Sequence, residues 1–102
     1  MTLKTFPYDS AEYLEDERAI AEYLEEAMKT AMEDSDPSFL AVALGTVARA
    51  RGMSQIAKDA GLSRESLYKA LGSEGNPEFG TVLKVLQALG LKLSIQSRGS
   101  AA

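Results

Sequence analysis

Seven consecutive residues, Ser63-Arg64-Glu65-Ser66-Leu67-Tyr68-Lys69, bring two cations, a carboxylate and three hydroxyl groups onto one short stretch. At helical spacing Leu67 falls on one face and Arg64, Glu65, Tyr68 and Lys69 fall on the other. Such a polar face can hydrogen-bond base edges or phosphates. Other chemistries are poorly served. The chain has no cysteine and no histidine. Thiol nucleophiles, disulfides, the commonest general base and the usual zinc ligands are therefore missing. An enzyme would have to work with carboxylates, Lys, Tyr or Ser. The clustered Glu22, Glu25 and Glu26 are an unpromising hydrolase site, because an exposed helix face has no pocket to raise a carboxyl pKa. Asp34-Ser35-Asp36 opens like a calcium loop, but Phe39 stands where its glycine belongs and Gly45 where its last glutamate belongs. Gly72 to Gly75 lacks the Gly-Lys-Ser/Thr ending of a phosphate loop. The chain reads as a binding protein, not an enzyme, with no cofactor and no metal.

The polar face needs a rigid frame, and the residues before it supply one. In Met53 to Leu71, Ile56 and Ala60 share one helix face, and Ala57 is small where two helices would cross. Gly61 permits the positive φ of a tight turn. Leu62 plugs that turn, Ser63 caps the next helix, and Leu67 and Leu71 face the core. This is the pattern of a helix-turn-helix, with helices expected from about Ser54 to Ala60 and from after Ser63 to Leu71 or Gly72. Asp36-Pro37 marks the start of the preceding helix, with Asp as N-cap and Pro in the first turn. Leu40, Leu44, Val47 and Ala48 form its apolar stripe, and Arg49, Arg51 and Gly52 its end. Asn76-Pro77 opens a last helix, with Phe79, Val82, Leu83, Val85, Leu86 and Leu89 as its apolar residues and Gly90 as its stop.

Nearer the N-terminus, Asp9 and Glu12 have capping-box spacing. Tyr13, Ile20, Tyr23, Leu24, Ala27, Met28 and Ala31 predict a helix from about residue 10 to 32, with a break possible near 15–16 where Glu15-Asp16-Glu17 interrupts the stripe. At the other end Leu91-Lys92-Leu93-Ser94-Ile95-Gln96 alternates and predicts one strand. The architecture expected is all-α with one terminal strand.

The 102 residues make one domain, with an ordinary 45% hydrophobic and 25% charged composition. The longest purely apolar run, Phe39 to Leu44, is far short of the ~20 residues of a membrane span. No export signal is visible, so a cytoplasmic protein without membrane partners is expected. Charge is divided unevenly. Residues 1–36 carry three cations against eleven carboxylates, a net −8, and residues 37–102 carry eight against four, a net +4. Two surfaces with two kinds of partner are implied, although a solvated acidic helix on a basic domain accounts for the same asymmetry.

Residues 37–90 resemble the phage-repressor-like fold, in which five helices carry the helix-turn-helix in second and third place. More narrowly, Ala48 to Ala57, Gly61 to Leu71, Gly75-Asn76-Pro77 and Leu86 to Leu91 resemble the addiction-module antidote proteins, HigA-like antitoxins with an XRE-type helix-turn-helix. These are encoded beside a small ribonuclease-like toxin of the RelE/ParE superfold. The chain departs from the repressor pattern at Met53, where repressors often carry Gln. The resemblance implies an acidic N-terminal helical extension over 1–36, a DNA-binding domain with its terminal strand over 37–97, and a frayed tail over 98–102.

By the same resemblance Arg64, Glu65 and Lys69 occupy base-reading positions, with Arg64 suited to guanine O6 and N7. Glu65 would either accept from a cytosine amine or hold Arg64 or Lys69 in place. Ser63, Ser66 and Tyr68 match positions that touch phosphate, and Tyr68 could equally pack between helices. Gln55 and Asn76 are phosphate clamps at helix starts. The function implied is a sequence-specific antitoxin that neutralises its toxin and represses its own operon. The alternatives are a stand-alone prophage-type repressor and a protein–protein adaptor. The partners expected are double-stranded operator DNA, a small basic toxin met by Glu22, Glu25 and Glu26, and a second copy of the chain. The second copy would pair through Leu91, Leu93 and Ile95, unless that strand joins the toxin's sheet instead.

Overall fold

The computed structural model describes residues 16–72 and 74–99. The expected capping box at Asp9 and Glu12, Tyr13 and the last residues of the tail lie outside the described residues. Five helices are formed among those described: α1 (Glu17–Asp34), α2 (Ser38–Arg51), α3 (Met53–Ala60), α4 (Arg64–Ala70) and α5 (Phe79–Ala88). Residues 37–90 hold four of them, so the acidic helix α1 is itself the fifth.

Helix α1 begins where the acidic triplet interrupts the stripe. Asp16 is its N-cap, with a carboxylate oxygen accepting the Arg18 N–H at 2.8 Å. Its other end closes on Ser35, which takes the left-handed conformation at φ 52°. There the Asp36 N–H donates to the Ala31 carbonyl at 2.9 Å and the Ser35 N–H to Met32 at 3.4 Å. The same pair of closing bonds ends α3 at Gly61 and α5 at Gly90, both with positive φ.

Pro37, not Asp36, stands at the cap position of α2, so the helix starts one residue later than the sequence suggests, and the first turn is braced from outside it by Asp36. Its Oδ1 accepts the Ser38 hydroxyl at 2.7 Å and the Ser38 N–H at 3.0 Å. These two bonds, the hydroxyl first, hold the Asp36 carboxyl below its ordinary pKa of 3.8.

One core joins all five helices. Ile20 and Leu24 from α1 meet Ala43, Leu44, Val47 and Ala48 from α2. Met53, Ile56 and Ala57 from α3 and Leu67 and Leu71 at α4 continue it, and Val82, Val85, Leu86 and Leu89 complete it. Helix α1 packs on α2, and α3 packs against α2, α4 and α5. The small side chains of Ala41 and Ala43 let α2 bury more of its circumference than the expected stripe. Gly45 lets it close on the end of α4, where a Cβ would stand 2.6 Å from the Leu71 carbonyl oxygen.

Two expectations for the C-terminal third are corrected. Phe79 is 65% and Leu83 36% exposed, so only Val82, Val85, Leu86 and Leu89 of the α5 set are buried. One face of a ten-residue helix suffices to cover α3. The strand over 91–96 is not formed among the described residues. Alternation makes a segment able to pair, but a strand exists only with a second one beside it, and no other described segment is extended in register with it.

Candidate nucleic-acid interface

The interface is built on a turn of three residues. Helix α3 ends at Gly61, with φ 75° and ψ 29°. The Leu62 N–H reaches back to the Ala57 carbonyl at 2.8 Å, which draws half-buried Leu62 against the core. The chain then turns directly into α4. Ser63 is extended, and its Oγ accepts the Ser66 N–H at 3.0 Å. Leu67 and Leu71 anchor α4 from below, with 0% and 2% of their surface exposed. Arg64, Glu65, Ser66, Tyr68 and Lys69 are all exposed on its outer side.

Arg64 is not free on that surface. Its guanidinium carbon lies 5.2 Å from the centroid of the Tyr68 ring, and Nη2 is 3.5 Å from the phenol oxygen. Its contact is therefore Tyr68, where the sequence had offered Glu65. Tyr68 is 42% exposed on this surface.

Beside Arg64 opens a groove lined by Arg49, Gly52, Met53, Ser54, Gln55, Arg64 and Tyr68. Its floor is the start of α3, which has no side-chain cap. The Ile56 N–H is taken by the Gly52 carbonyl at 3.0 Å, and the N–H groups of Met53, Ser54 and Gln55 before it take no main-chain acceptor among the described residues. An uncapped helix start flanked by two guanidinium groups suits an anion. Gln55 stands at the rim, where its amide donates to Asp59 Oδ1 at 2.9 Å. Met53 is buried at 5% exposure and belongs to the core, so its side chain does not reach the groove surface as a contact.

The groove thus gathers Gln55, Arg64 and Tyr68 of the expected site. Ser63, Ser66, Glu65 and Lys69 lie along α4 outside it. Asn76 is elsewhere: it is exposed in the loop before α5, which starts only at Phe79 with Glu78 at the cap position, so Asn76 marks no helix start. Pro77 and Glu78 extend the loop before the helix can begin. Arg49 is the residue that sequence reasoning missed. It read as a charge ending α2, but it is one turn before Gly52, and the sharp passage there at φ 105° swings α3 back beside it.

Away from this groove's lining, Glu22, Glu25 and Glu26 are exposed along α1. Glu25 stands on an apolar groove with Leu24, Met28, Leu40 and Leu86. Glu26 stands on another, with Tyr23, Ala27, Phe39 and Val42. The acid therefore borders two apolar surfaces, one on each flank of α1. Leu91 packs half-buried on the core, while Leu93 and Ile95 are exposed.

A family model described as "probable addiction module antidote protein" matches residues 4–97. The chain belongs to that family. A relative within reach of direct alignment is an uncharacterized protein of Haemophilus influenzae (strain Rd), 51% identical over 96 residues, which span 94% of this chain and 95% of the relative. No solved structure matches the chain. Membership of the antidote family implies a toxin partner in general. No described helix is long and apolar enough to cross a membrane.

Proposed function

We propose that this chain is the antitoxin of a type II toxin–antitoxin module, HigA-like with an XRE-type helix-turn-helix. It acts as a cytoplasmic homodimer, by binding and not by catalysis, with neither cofactor nor metal. It neutralises a RelE/ParE-like toxin through protein–protein contact and represses its own operon by binding operator DNA. The antidote family supports the first activity and favours it over a stand-alone prophage-type repressor.

One observation carries the DNA-binding half. Arg49, Arg64, Tyr68 and Gln55 converge on the uncapped start of α3, beside a helix whose outer face is Arg64, Glu65, Ser66, Tyr68 and Lys69. A backbone phosphate seated in that groove would meet main-chain N–H groups and the Arg49 guanidinium at once. Helix α4 would then lie in the major groove, with Arg64, Glu65 and Lys69 over base edges. Ser63 keeps a hydroxyl proton to donate to phosphate while its oxygen caps α4.

The test is a mobility-shift titration with DNA from upstream of the chain's own reading frame, beside a scrambled duplex of equal length. Tight binding to the first alone supports the reading. Equal, weak binding to both overturns it and favours the protein–protein adaptor.

A further inference from the structure

Gln55 is the third residue of α3, after Met53 and Ser54. A glutamine at that position is placed to fold back over the helix start, where its amide oxygen accepts the cap residue's N–H. The cap residue is Gly52, which has no side chain to offer, and its N–H has only the Arg49 carbonyl at 3.3 Å. Gln55 nevertheless turns the other way. Its amide nitrogen donates to Asp59 Oδ1, one turn further along α3, at 2.9 Å. Both side chains are exposed, so burial does not force the choice. Helical side chains lean toward the N-terminus, so the pair draws Gln55 against its natural direction.

We propose that Asp59 is a positioning residue for DNA binding: by holding the Gln55 amide one turn along α3, it keeps the start of that helix open for a phosphate of the DNA backbone. The inference rests on the DNA-docking reading of the groove and adds to it a residue outside the groove's lining.

The device acts by removing a competitor. Gly52, Met53 and Ser54 line the groove beside Arg49. A Gln55 side chain folded over Gly52 would cover that end of the groove and present its amide oxygen there. An oxygen in that place satisfies the helix start from within the chain and sets a partial negative charge where the phosphate has to sit. DNA would then have to displace it. With Asp59 as its partner, the amide is already held away before DNA arrives.

The chemistry of the pair fixes which side of the amide is held. A carboxylate only accepts, so Asp59 takes the nitrogen of Gln55, and that nitrogen keeps a second N–H. The arrangement also gives an acidic side chain of the helix-turn-helix a use. By charge alone a carboxylate one turn from a phosphate seat would repel DNA. Charge and latch therefore predict opposite consequences of removing Asp59, and the sign of the effect decides between them.

The test is Asp59→Ala in the full chain, read by fluorescence anisotropy with DNA from upstream of its own reading frame. The latch predicts binding weakened about fivefold, the factor by which a helix cap must be displaced. Asp59→Asn keeps an acceptor oxygen for the Gln55 amide and retains most of the wild-type affinity. In a Gln55→Ala background Asp59→Ala no longer weakens binding, because no side chain is left to fold back. Amide hydrogen exchange of the free chain reads the latch without DNA: the Gly52 N–H is better protected in Asp59→Ala than in the wild type. Three results overturn the proposal: tighter operator binding by Asp59→Ala, an equal loss with and without Gln55, or unchanged protection of Gly52. Protection that rises in a chain indifferent to its operator would overturn the DNA reading while the latch itself stands.

Discussion

Arg64 lies across Tyr68, one helical turn away, with its guanidinium carbon 5.2 Å from the ring centroid. The ring draws the cation over its face and restricts the rotamers that Arg64 would surrender on meeting DNA. Tyr68→Ala should therefore weaken operator binding by about 1 kcal/mol through lost pre-organisation. Tyr68→Phe keeps the ring and should be nearly neutral. Arg64→Ala and Lys69→Ala should each cost about 1–3 kcal/mol on the cognate site. Fluorescence anisotropy with labelled operator measures all four. A large loss in Tyr68→Phe with a shallower salt slope would assign the phenol to a phosphate instead.

Ser35 closes α1 at φ 52°, where a side chain is strained. Glycine adopts that conformation freely, at some cost from the entropy of the unfolded chain. Ser35→Gly should raise stability by about 0.5–1 kcal/mol in urea unfolding, with the slope unchanged. A loss of stability would mean that the serine side chain supports the turn.

Asp36 gives α2 a pH-sensitive start. Its carboxyl titrates below the ordinary 3.8 because the Ser38 hydroxyl and N–H both donate to it. The native state thus binds this proton less readily than the unfolded chain. The stabilisation is present above the ordinary value and is lost as pH falls through the lowered one. Asp36→Asn should lower Tm near neutrality and flatten the acid limb of Tm against pH. A variant with an unchanged acid limb would show that other carboxylates govern it.

Much of this frame was legible because its signals are local. Asp36-Pro37, Gly61, Ser63 and Gly90 each act on hydrogen bonds within a few residues, so their types announce their roles. Leu67 and Leu71 follow from spacing alone. Other features depend on what lies across the fold. Arg49 joins Arg64 only because the chain turns sharply at Gly52. Phe79 and Leu83 look like core, but α3 covers only the Val82, Val85 and Leu86 side of α5. Asn76 imitates a cap, yet the helix starts three residues later, at Phe79. The segment 91–96 has a strand's pattern without a strand's partner.

The acid of α1 gives a kinetic prediction for the toxin. Glu22, Glu25 and Glu26 are exposed and border apolar grooves. If they steer a basic toxin surface, reversing all three to Lys should slow association about tenfold or more at low salt and leave dissociation nearly unchanged. Stopped-flow association at several salt concentrations, with the product of the neighbouring reading frame, reads this directly. A rate indifferent to both salt and charge reversal would leave α1 with a packing role alone.

The central claim is that the groove at the start of α3 and the outer face of α4 dock on operator DNA. Anisotropy titrations of operator and scrambled duplex, from about 50 to 200 mM salt, test it most directly in the wild type, Arg49→Ala and Arg64→Ala. The account predicts that Arg49→Ala weakens both duplexes alike and makes the salt slope shallower by about one phosphate. Arg64→Ala should narrow the gap between the two duplexes. Wild-type affinity and slope in both variants would contradict it and place the docking face elsewhere.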